Sequence, residues 1–428
     1  MEAYYTYLNH LVNENKNEYS AYPSLKWLNP YNSDNAQVRR EILLKDLDNT
    51  SLFKKTKPYH YNISKGCKLC GLGSWSCLFI TGKCNASCFY CPTSQIIEGQ
   101  PTTQQLKFDT PESYTEYINH FKFKGVSFSG GEPLMVLDRT LQYLKHLRKK
   151  ANPELYIWMY TNGILGDAEK YKKLASAGLD EIRFDIGATA YRLDKIKEAR
   201  GIIPNLTIEI PSIPEELENL KTLLPEMLKL GVSNLNLHQL RLTKYNAPNL
   251  LKKNYTYIPA ENPIVLESEL AALEIIQYAR DRQIEIGINY CSFFFKNRFQ
   301  KAGFRNQIAN VIASPEEIIT QKGYIRQNGN NSIAYQSIVL SDKANDNPKH
   351  NNEILKLKYK SYFISRANVL SQQKIEDWEK ESVEKLIKTE PEIIPEEKLL
   401  FDIWSHEYIE KNLTPNFYEK TPPCQIDV

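Results

Sequence analysis

The sequence lacks the features that mark membrane, secreted and nucleic-acid-binding proteins. No stretch of its 428 residues approaches the roughly 20 apolar residues that a membrane span requires. The N-terminal segment is polar and tyrosine-rich, without the basic start and apolar run of a secretory signal. A net charge of +3 is close to balanced, which disfavours a nucleic-acid backbone as the main partner. We therefore expect a cytoplasmic globular protein without a membrane or nucleic-acid partner.

The eight cysteines are not spread along the chain as a disulfide framework would be. Six of them lie between Cys67 and Cys91, and only Cys291 and Cys424 stand apart. Clustered cysteines in a large chain of this kind indicate metal binding rather than disulfides.

Short strand-like segments alternate with helix-like segments through the middle of the chain. The strand candidates start roughly 25 to 50 residues apart, which is the length that a βαβ unit needs. Apolar residues at helical spacing lie between them, as from Leu217 to Leu228, where Gly231 marks the helix end. The candidates cover residues 77–81, 125–129, 155–160, 181–186, 206–210, 234–238 and 284–288. We predict an α/β fold, a partial or full (β/α) barrel, with its active site at the carboxyl ends of the strands.

The composition predicts three segments. Residues 1–66 form an N-terminal extension, and residues 67–300 form the barrel with a preceding cysteine segment. Residues 301–428 form a C-terminal extension, with a small β element at 316–340 followed by amphipathic helices at 371–412.

Cys84, Cys88 and Cys91 follow the first strand candidate, in the sequence TGKCNASCFYCP. Thiolates are the natural ligands of iron–sulfur clusters, and three of them leave one iron of a four-iron cluster open. Zinc is the alternative, but a structural zinc usually takes four ligands, commonly as two cysteine pairs. The spacing therefore favours an iron–sulfur cluster.

Ser129, Gly130, Gly131, Glu132 and Pro133 follow the second strand candidate. Two glycines let a ligand approach the backbone closely, and the carboxylate can accept hydrogen bonds from an ammonium group. An ordinary tight turn is the alternative interpretation. The position of this segment, one βα unit after the cysteine loop and on the same rim, favours a binding role.

The cysteine loop and the SGGEP segment together resemble the radical S-adenosylmethionine (SAM) superfamily. The resemblance implies that Cys84, Cys88 and Cys91 hold a [4Fe–4S] cluster, which reductively cleaves SAM to methionine and a 5′-deoxyadenosyl radical. That radical would abstract hydrogen from a substrate, so the enzyme would be an oxidoreductase or transferase. A reductant protein such as flavodoxin or ferredoxin is the implied electron donor.

The resemblance also implies a SAM-binding site on the barrel rim. Tyr90 would lie against the adenine, and Gly130, Gly131 and Glu132 would receive the methionine amino group. At later strand ends, Glu209 and His238 could face SAM or substrate, although such residues are as often structural. The cofactor-binding residues that it implies are Tyr90, Ser129, Gly130, Gly131, Glu132, Asn162 and Asp185.

A second cysteine group predicts a second metal, either an iron–sulfur cluster or zinc. Cys67 and Cys70 form a C-x-x-C pair, and Cys291 ends the last strand candidate. Cys77 is either the fourth ligand or a core residue. For Cys67 and Cys70, the alternative is that the C-x-x-C pair only begins a turn. This arrangement resembles uncharacterised proteins related to pyruvate formate-lyase activating enzyme, an activase of a glycyl-radical enzyme.

Three functional hypotheses stay open. In the first, the enzyme acts on a peptide or protein. In the second, it is activase-like and acts on a glycyl-radical partner or a small metabolite. The rival from another class is a zinc-stapled binding module without catalysis.

The basic residues Lys296, Arg298, Lys301 and Arg305 are either the lining of a pocket for an anionic substrate or a solvated helix face.

Overall fold

A computed structural model describes most of the chain as far as Gln327. The predicted helices at 371–412 lie outside the described residues. The described residues are 12–28, 35–47, 51–53, 56–104, 106–260, 263–315, 317–319, 323 and 325–327.

The described residues divide into two units, of which the first ends at Asn297 and the second begins at Arg298. The second unit contains a helix and an antiparallel pair of strands, Glu317–Ile319 with Ile325–Gln327. This pair lies within the first part of the predicted β element, whereas residues 332–340 lie outside the described part of the chain. The segment boundaries at residues 66 and 300 stay predictions.

Seven parallel strands form the centre of an 11-stranded sheet in the first unit. They are β1 (Trp75–Thr81), β2 (Gly125–Gly130), β3 (Tyr156–Thr161), β4 (Glu181–Phe184), β5 (Asn205–Pro211), β6 (Val232–His238) and β7 (Gly287–Cys291). All seven predicted strands are present. The last one begins three residues later than predicted, because the Ile284 N–H bonds to the Ala279 carbonyl and still belongs to the preceding helix end.

The order of these strands distinguishes a barrel from a doubly wound sheet. Each strand from β2 to β7 lies beside the preceding one of these seven strands. The order therefore lacks the reversal of a doubly wound sheet. At the two ends, β1 pairs with Thr102–Thr103 and β7 pairs with Lys57–His60, both antiparallel. The described residues therefore form a partial (β/α) barrel, as predicted.

Shorter strands and the helices complete the first unit. The remaining strands are Lys26–Trp27, Ser51–Leu52, Lys57–His60, Thr102–Thr103, Leu106–Lys107, Thr256–Ile258 and Ile264–Val265. Across both units, the α-helices are 12–18, Asn35–Asp46, Lys65–Gly71, Pro111–His120, Leu137–Lys150, Ala168–Ser176, Asp194–Ala199, Leu217–Lys229, Ala247–Leu250, Leu266–Asp281, Phe293–Phe295 and Lys301–Ile312. The short 3-10 helices are Pro133–Val136, Ile186–Thr189 and Pro214–Glu216, and Lys296–Gln300 is a π-helix. None of these described helices has the length and apolar character needed to cross a bilayer.

The helix Leu137–Lys150 shows how the predicted apolar faces pack. Leu141, Leu144 and Leu147 recur on one face and are all buried. Basic side chains occupy its last turn, where they compensate the partial negative charge of the helix C-terminus. The helix Leu217–Lys229 also has a basic residue, Lys229, in its last turn. Gly231 follows this helix with a positive φ of 84°, a conformation common just after a helix C-terminus.

The inner face of β4 to β7 carries a hydrogen-bonded polar network instead of the apolar layers of a common barrel. Glu181 accepts from Arg183 and from the Thr207 hydroxyl, and Arg183 also donates to Glu209. Asn236 continues the network, because it donates to Glu209 and accepts from Asn289 at the centre of β7. The residues between them, such as Ile182 and Ile208, are buried on the opposite face.

The helix Lys65–Gly71 lies directly against this network. A β-carbon on Gly66 would fall 2.2 Å from an Arg183 guanidinium nitrogen, so any other residue here would have to displace the Arg183 side chain. The Ser64 hydroxyl caps the helix by accepting from the Cys67 N–H, and it also accepts from Arg183. The helix therefore holds its cysteines toward the barrel interior.

Replacement of Arg183 by methionine is expected to lower the free energy of unfolding by about 3 to 5 kcal/mol, because two carboxylates lose their buried counter-charge. Arg183 is 1% exposed, and its nitrogens lie 2.9 Å from Glu181 Oε1 and 2.7 Å from Glu209 Oε2. Chemical denaturation measures the change. The matched control is Arg192→Met, whose exposed side chain lies 3.9 Å from Asp194 and should contribute less than about 1 kcal/mol. Equal small losses in both variants would contradict this account.

Candidate metal and cofactor site

The loop that carries Cys84, Cys88 and Cys91 begins where β1 ends. The Cys84 N–H bonds to the Gln95 carbonyl, and the Cys91 N–H bonds to the Cys88 carbonyl. All three cysteines are partly exposed and are free thiols. The loop therefore presents three accessible sulfur atoms from a fixed backbone.

Burial keeps these thiols protonated when no metal is bound. It raises the pKa of Cys88 to about 12, and it also raises the pKa values of Cys84 and Cys91 above the ordinary thiol value. A metal must therefore displace the protons, which couples metal binding to pH. Three sulfur donors on one short loop fit an iron–sulfur cluster.

The Gly130–Gly131 backbone lies against the start of this loop. The Gly131 N–H bonds to the Thr81 carbonyl at 2.7 Å, and the Glu132 N–H bonds to the Lys83 carbonyl at 2.8 Å. A β-carbon on Gly131 would lie 2.0 Å from the Lys83 carbonyl oxygen, and Gly130 has a φ of 114°. Glycine is required at both positions because of this close approach. The cysteine loop and the SGGEP segment are therefore in direct contact.

Glu132 is fully buried and joins the ends of β2 and β3. Its Oε1 accepts from the Leu134 N–H at 2.9 Å and from the Thr161 hydroxyl at 2.7 Å. Its Oε2 accepts from the Asn162 N–H at 2.7 Å. These contacts give the carboxylate a positioning role, and its predicted contact with the methionine amino group stays a prediction.

Stability is expected to fall as the pH rises from about 4 to about 7, because two buried carboxyls hold their protons in the folded state. Burial raises the pKa of Glu132 from 4.5 to about 7, and it raises the pKa of Asp185 from 3.8 to about 6. Within this window the folded chain binds more protons than the unfolded chain, so the free energy of unfolding decreases with pH and levels off above it. Urea titrations at several pH values test this. In Glu132→Gln the slope should be shallower, and a slope equal to that of the wild type would contradict the assignment.

Asn162 connects the end of β3 with Cys84. Its Nδ2 donates to Asn85 Oδ1 at 2.8 Å and lies 3.5 Å from Cys84 Sγ. Gly163 follows with a φ of 72°, which sets the sharp turn after the strand. Asn162, one of the predicted cofactor-binding residues, therefore lies beside the first cysteine of the loop.

Tyr90 connects the same loop with the end of β4. Its hydroxyl lies 2.8 Å and 3.0 Å from the two carboxylate oxygens of Asp185. Burial, followed by the Asp185 charge, raises the pKa of Tyr90 well above its ordinary value, so the phenol donates. Ser129 lies at the end of β2, where it is paired with Phe79 of β1. The predicted residues Tyr90, Ser129, Gly130, Gly131, Glu132, Asn162 and Asp185 thus lie at the ends of β2 to β4 or on the loop itself.

Comparison with known proteins identifies the family. The Radical SAM superfamily description matches residues 78–210. A protein of Methanocaldococcus jannaschii, named provisionally as a glycyl-radical enzyme activating enzyme, is 30% identical over 278 residues. The aligned part is 61% of this chain and 72% of that protein. The chain belongs to the radical SAM superfamily.

The chain is also similar to more distant proteins. A GTP 3′,8-cyclase of Mycobacterium sp. (strain KMS) is 31% identical over 108 residues, which are 25% of this chain and 30% of the cyclase. Among solved structures, the radical SAM enzyme coproporphyrinogen III oxidase from Escherichia coli aligns at 13% identity with a TM-score of 0.34. That alignment covers 52% of this chain and 57% of the oxidase.

As a radical SAM enzyme, the protein uses a [4Fe–4S] cluster and SAM. The rival hypothesis of a zinc-stapled module without catalysis does not fit this membership. Within the described part of the chain, no three cysteine, histidine or acidic side chains converge closely enough to hold a single metal ion.

The second cysteine group lies inside the radical SAM barrel. Cys67 Sγ is 3.6 Å from Arg183 Nη1 and 3.9 Å from Asn289 Nδ2. Cys291, at the end of β7, lies 2.7 Å from the Nζ of Lys57. Burial raises the pKa of Cys70, and the nearby Cys67 and Cys291 raise it further. Cys67, Cys70 and Cys291 are therefore neighbours, although more than 220 residues separate the pair from Cys291.

Other predicted positions have their own partners. Glu209 is bound by Arg183 and Asn236; burial acts to raise its pKa, but the Arg183 charge holds it below the ordinary value. Burial lowers the pKa of His238 to about 3, so its imidazole is neutral. His238 Nδ1 is buried without a hydrogen-bond partner among the described residues. Cys77, the candidate fourth ligand, lies on β1 opposite Ser127 of β2, and burial raises the pKa of its thiol to about 11.

The basic residues after Cys291 divide between the two units. Lys296 belongs to the first unit, where its Nζ lies 4.9 Å from the centre of the Phe293 ring. Lys301 and Arg305 belong to the helix of the second unit, and the side chain of Arg298 is outside the described atoms. An anionic pocket at these residues stays a prediction.

Sequence reasoning assigned no role to Lys57, Arg183 or Asn289. The signal for Arg183 was present, since Glu181, Arg183 and Asp185 alternate with apolar residues and therefore share one face of a strand. Nothing in the local sequence of Lys57 indicates that it lies opposite Cys291.

Proposed function

We propose that Cys84, Cys88 and Cys91 hold the [4Fe–4S] cluster of a radical SAM enzyme that abstracts hydrogen from a peptide or protein. When bound, the cluster and SAM supply one-electron cleavage of SAM to methionine and a 5′-deoxyadenosyl radical. The protein residues orient the groups and exclude competing reactions. We assign the reductant to a flavodoxin- or ferredoxin-like protein, because the chemistry needs one electron.

The observation that carries the proposal is the convergence of three strand ends on the cysteine loop. Gly131 and Glu132 hold its first residues through backbone hydrogen bonds, Asn162 contacts Cys84, and Asp185 holds Tyr90. The far end of the loop is also held, because Asn246 donates to the Tyr90 carbonyl and Thr243 donates to the Pro92 carbonyl. Such preorganisation fixes three thiols before a cluster is bound.

The cofactor-binding role extends to the residues around that loop. In this proposal the adenine would lie near Tyr90, and the Gly130–Gly131 backbone would receive the methionine amino group. Glu132 and Asn162 act mainly by holding these segments in register, since their side chains are bonded to other protein groups. Ser129 and Asp185 line the same rim.

A glycine residue of a partner protein is the candidate substrate that the comparisons favour. The M. jannaschii relative is named for activation of a glycyl-radical enzyme, and the alignment covers 72% of that relative. The likeness to the GTP cyclase covers only 30% of that enzyme, so it supports a small metabolite less well.

A second metal centre at Cys67, Cys70 and Cys291 belongs to the same proposal; of the two predicted kinds, iron–sulfur and zinc, the cluster fits better, because no three described donors converge on a single ion. The three thiols lie together inside the barrel, although they come from a helix before β1 and from the end of β7. The clustering supports the site, and its metal is argued below.

The substrate class is tested by deuterium transfer. Anaerobic enzyme, reductant and SAM are incubated with a glycine-rich peptide or candidate partner protein in which the glycine α-hydrogens are deuterium. Deuterium in the 5′-deoxyadenosine product is expected. Product without deuterium from any labelled peptide or partner, but with deuterium from a labelled small metabolite, would contradict the proposed substrate.

A further inference from the structure

A buried lysine lies among the second group of thiols. Lys57 is 1% exposed and begins the strand that pairs with β7. Its Nζ donates to Asn289 Oδ1 at 2.8 Å and to Cys291 Sγ at 2.7 Å, and it lies 4.6 Å from the centre of the Phe295 ring. Within the described residues no carboxylate forms an ion pair with Lys57.

An ammonium group in this position needs a negative charge nearby. Removing a cation from water is expensive unless an anion and hydrogen bonds compensate for it. An amide oxygen, a protonated thiol and an aromatic ring supply no full negative charge. Metal-bound thiolates would supply it, since each cysteine loses its proton on binding.

Three thiols surround this lysine. Cys67 and Lys57 contact opposite ends of the same Asn289 amide, at 3.9 Å from Nδ2 and 2.8 Å from Oδ1. Cys291 contacts Lys57 directly, and Cys67 and Cys70 lie near enough that their thiolate charge would raise the pKa of Lys57. A second cation is close, because Arg183 Nη1 lies 3.6 Å from Cys67 Sγ. The charge of Arg183 is already balanced by Glu181 and Glu209, so the site combines three sulfur donors with the Lys57 ammonium, which has no carboxylate partner among the described residues.

The donor set favours an iron–sulfur cluster over zinc. A structural zinc closes its shell with four ligands, whereas each thiolate of a four-iron cluster binds a separate iron. Cys77, the nearest fourth cysteine in sequence, lies on β1 opposite Ser127 of β2, and no contact joins it to Cys67, Cys70 or Cys291 among the described hydrogen bonds. Three thiolates are enough for a four-iron cluster with one open iron.

We propose that Cys67, Cys70 and Cys291 hold a second iron–sulfur cluster and that Lys57 is its buried counter-charge, a positioning residue that stabilises the reduced state. This inference rests on the second metal site proposed above. Reduction adds negative charge to a cluster, so a nearby cation stabilises the reduced form more than the oxidised form. Removal of the Lys57 charge should therefore make the cluster harder to reduce.

The first experiment isolates the second cluster in the full chain. The variant Cys84→Ala/Cys88→Ala/Cys91→Ala, reconstituted anaerobically, is expected to bind about four irons and about four sulfides. Addition of Cys291→Ala should remove them. A triple variant that contains zinc, or no metal, would overturn the second cluster. Wild-type protein with about four irons that still cleaves SAM would then leave the proposed function standing.

The second experiment tests Lys57 in that background by redox titration followed by electron paramagnetic resonance. Lys57→Met is expected to lower the equilibrium constant for reduction of the cluster at least tenfold. This corresponds to a fall of about 59 mV in midpoint potential for one electron. Lys57→Arg should restore the potential, because it keeps the charge. The matched control is Lys68→Met, which removes an exposed charge from the helix that carries Cys67 and should change nothing.

Each outcome decides the role of Lys57. A cluster in Lys57→Met with an unchanged potential would overturn the counter-charge assignment. Loss of iron from Lys57→Met and Lys57→Gln, but not from Lys57→Arg, would support the assignment. It would show that the cluster stays bound only when residue 57 carries a positive charge. Circular dichroism of all variants distinguishes this from loss of the fold.

Discussion

Replacement of Cys84, Cys88 or Cys91 by alanine is expected to lower the rate of SAM cleavage by more than about a thousandfold, because each variant removes one ligand of the catalytic cluster. Each thiol is free and partly exposed on the loop after β1, and neighbouring strand ends hold that loop in place. The measurement is 5′-deoxyadenosine formed under anaerobic conditions with dithionite and SAM. Iron content should fall in the same variants.

The matched control for the cysteine variants is Ser87→Ala. Ser87 is an exposed residue of the same loop, between Cys84 and Cys88. Its replacement should leave both iron content and SAM cleavage near the wild-type level. A cysteine variant that behaves like Ser87→Ala would show that the cluster lies elsewhere.

Replacement of Glu132 by alanine is expected to lower the free energy of unfolding by about 3 to 5 kcal/mol and to weaken SAM binding. Three donors, the Leu134 and Asn162 N–H groups and the Thr161 hydroxyl, would lose their buried acceptor. The Gly130–Gly131 backbone and the turn at Asn162 would then no longer be held in register beside Cys84. Denaturant unfolding and calorimetric titration with SAM measure the two effects.

Two further variants separate the role of Glu132 from the general loss of a carboxylate. Glu132→Gln keeps one acceptor oxygen but places an amide N–H₂ against the Asn162 N–H, so an intermediate loss of stability is expected. Glu154→Ala removes an exposed carboxylate and should change stability by less than about 0.5 kcal/mol. A Glu132→Ala variant as stable as Glu154→Ala would contradict the positioning role.

Much of the fold follows from local sequence patterns. Apolar runs separated by helical leucine faces predict seven strands in sequential order, and the structure has them. The exception is β7, which starts at Gly287 because residues up to Ile284 still belong to the preceding helix end. Periodicity cannot locate that boundary, since the hydrogen bond from Ile284 to Ala279 decides it.

The cysteine loop and the glycine segment were predictable because their residues are close in sequence and chemically distinctive. The partners of Glu132 were not, since Thr161 and Asn162 lie about thirty residues away and their hydrogen bonds depend on how β2 and β3 pair. Lys57 and Cys291 are farther apart, separated by 234 positions. A lysine that reads as an ordinary surface residue becomes part of a thiol site only through strand pairing.

The central claim is tested most directly by anaerobic cleavage of SAM by the reconstituted wild-type protein. The account predicts a brown protein that contains iron and sulfide and forms 5′-deoxyadenosine and methionine only when reductant is present. Activity should disappear, and the iron content should fall by about four per chain, when Cys84, Cys88 and Cys91 are replaced. Reductant-dependent cleavage of SAM that persists in the triple variant, or an iron-loaded wild type that forms no 5′-deoxyadenosine, would contradict it.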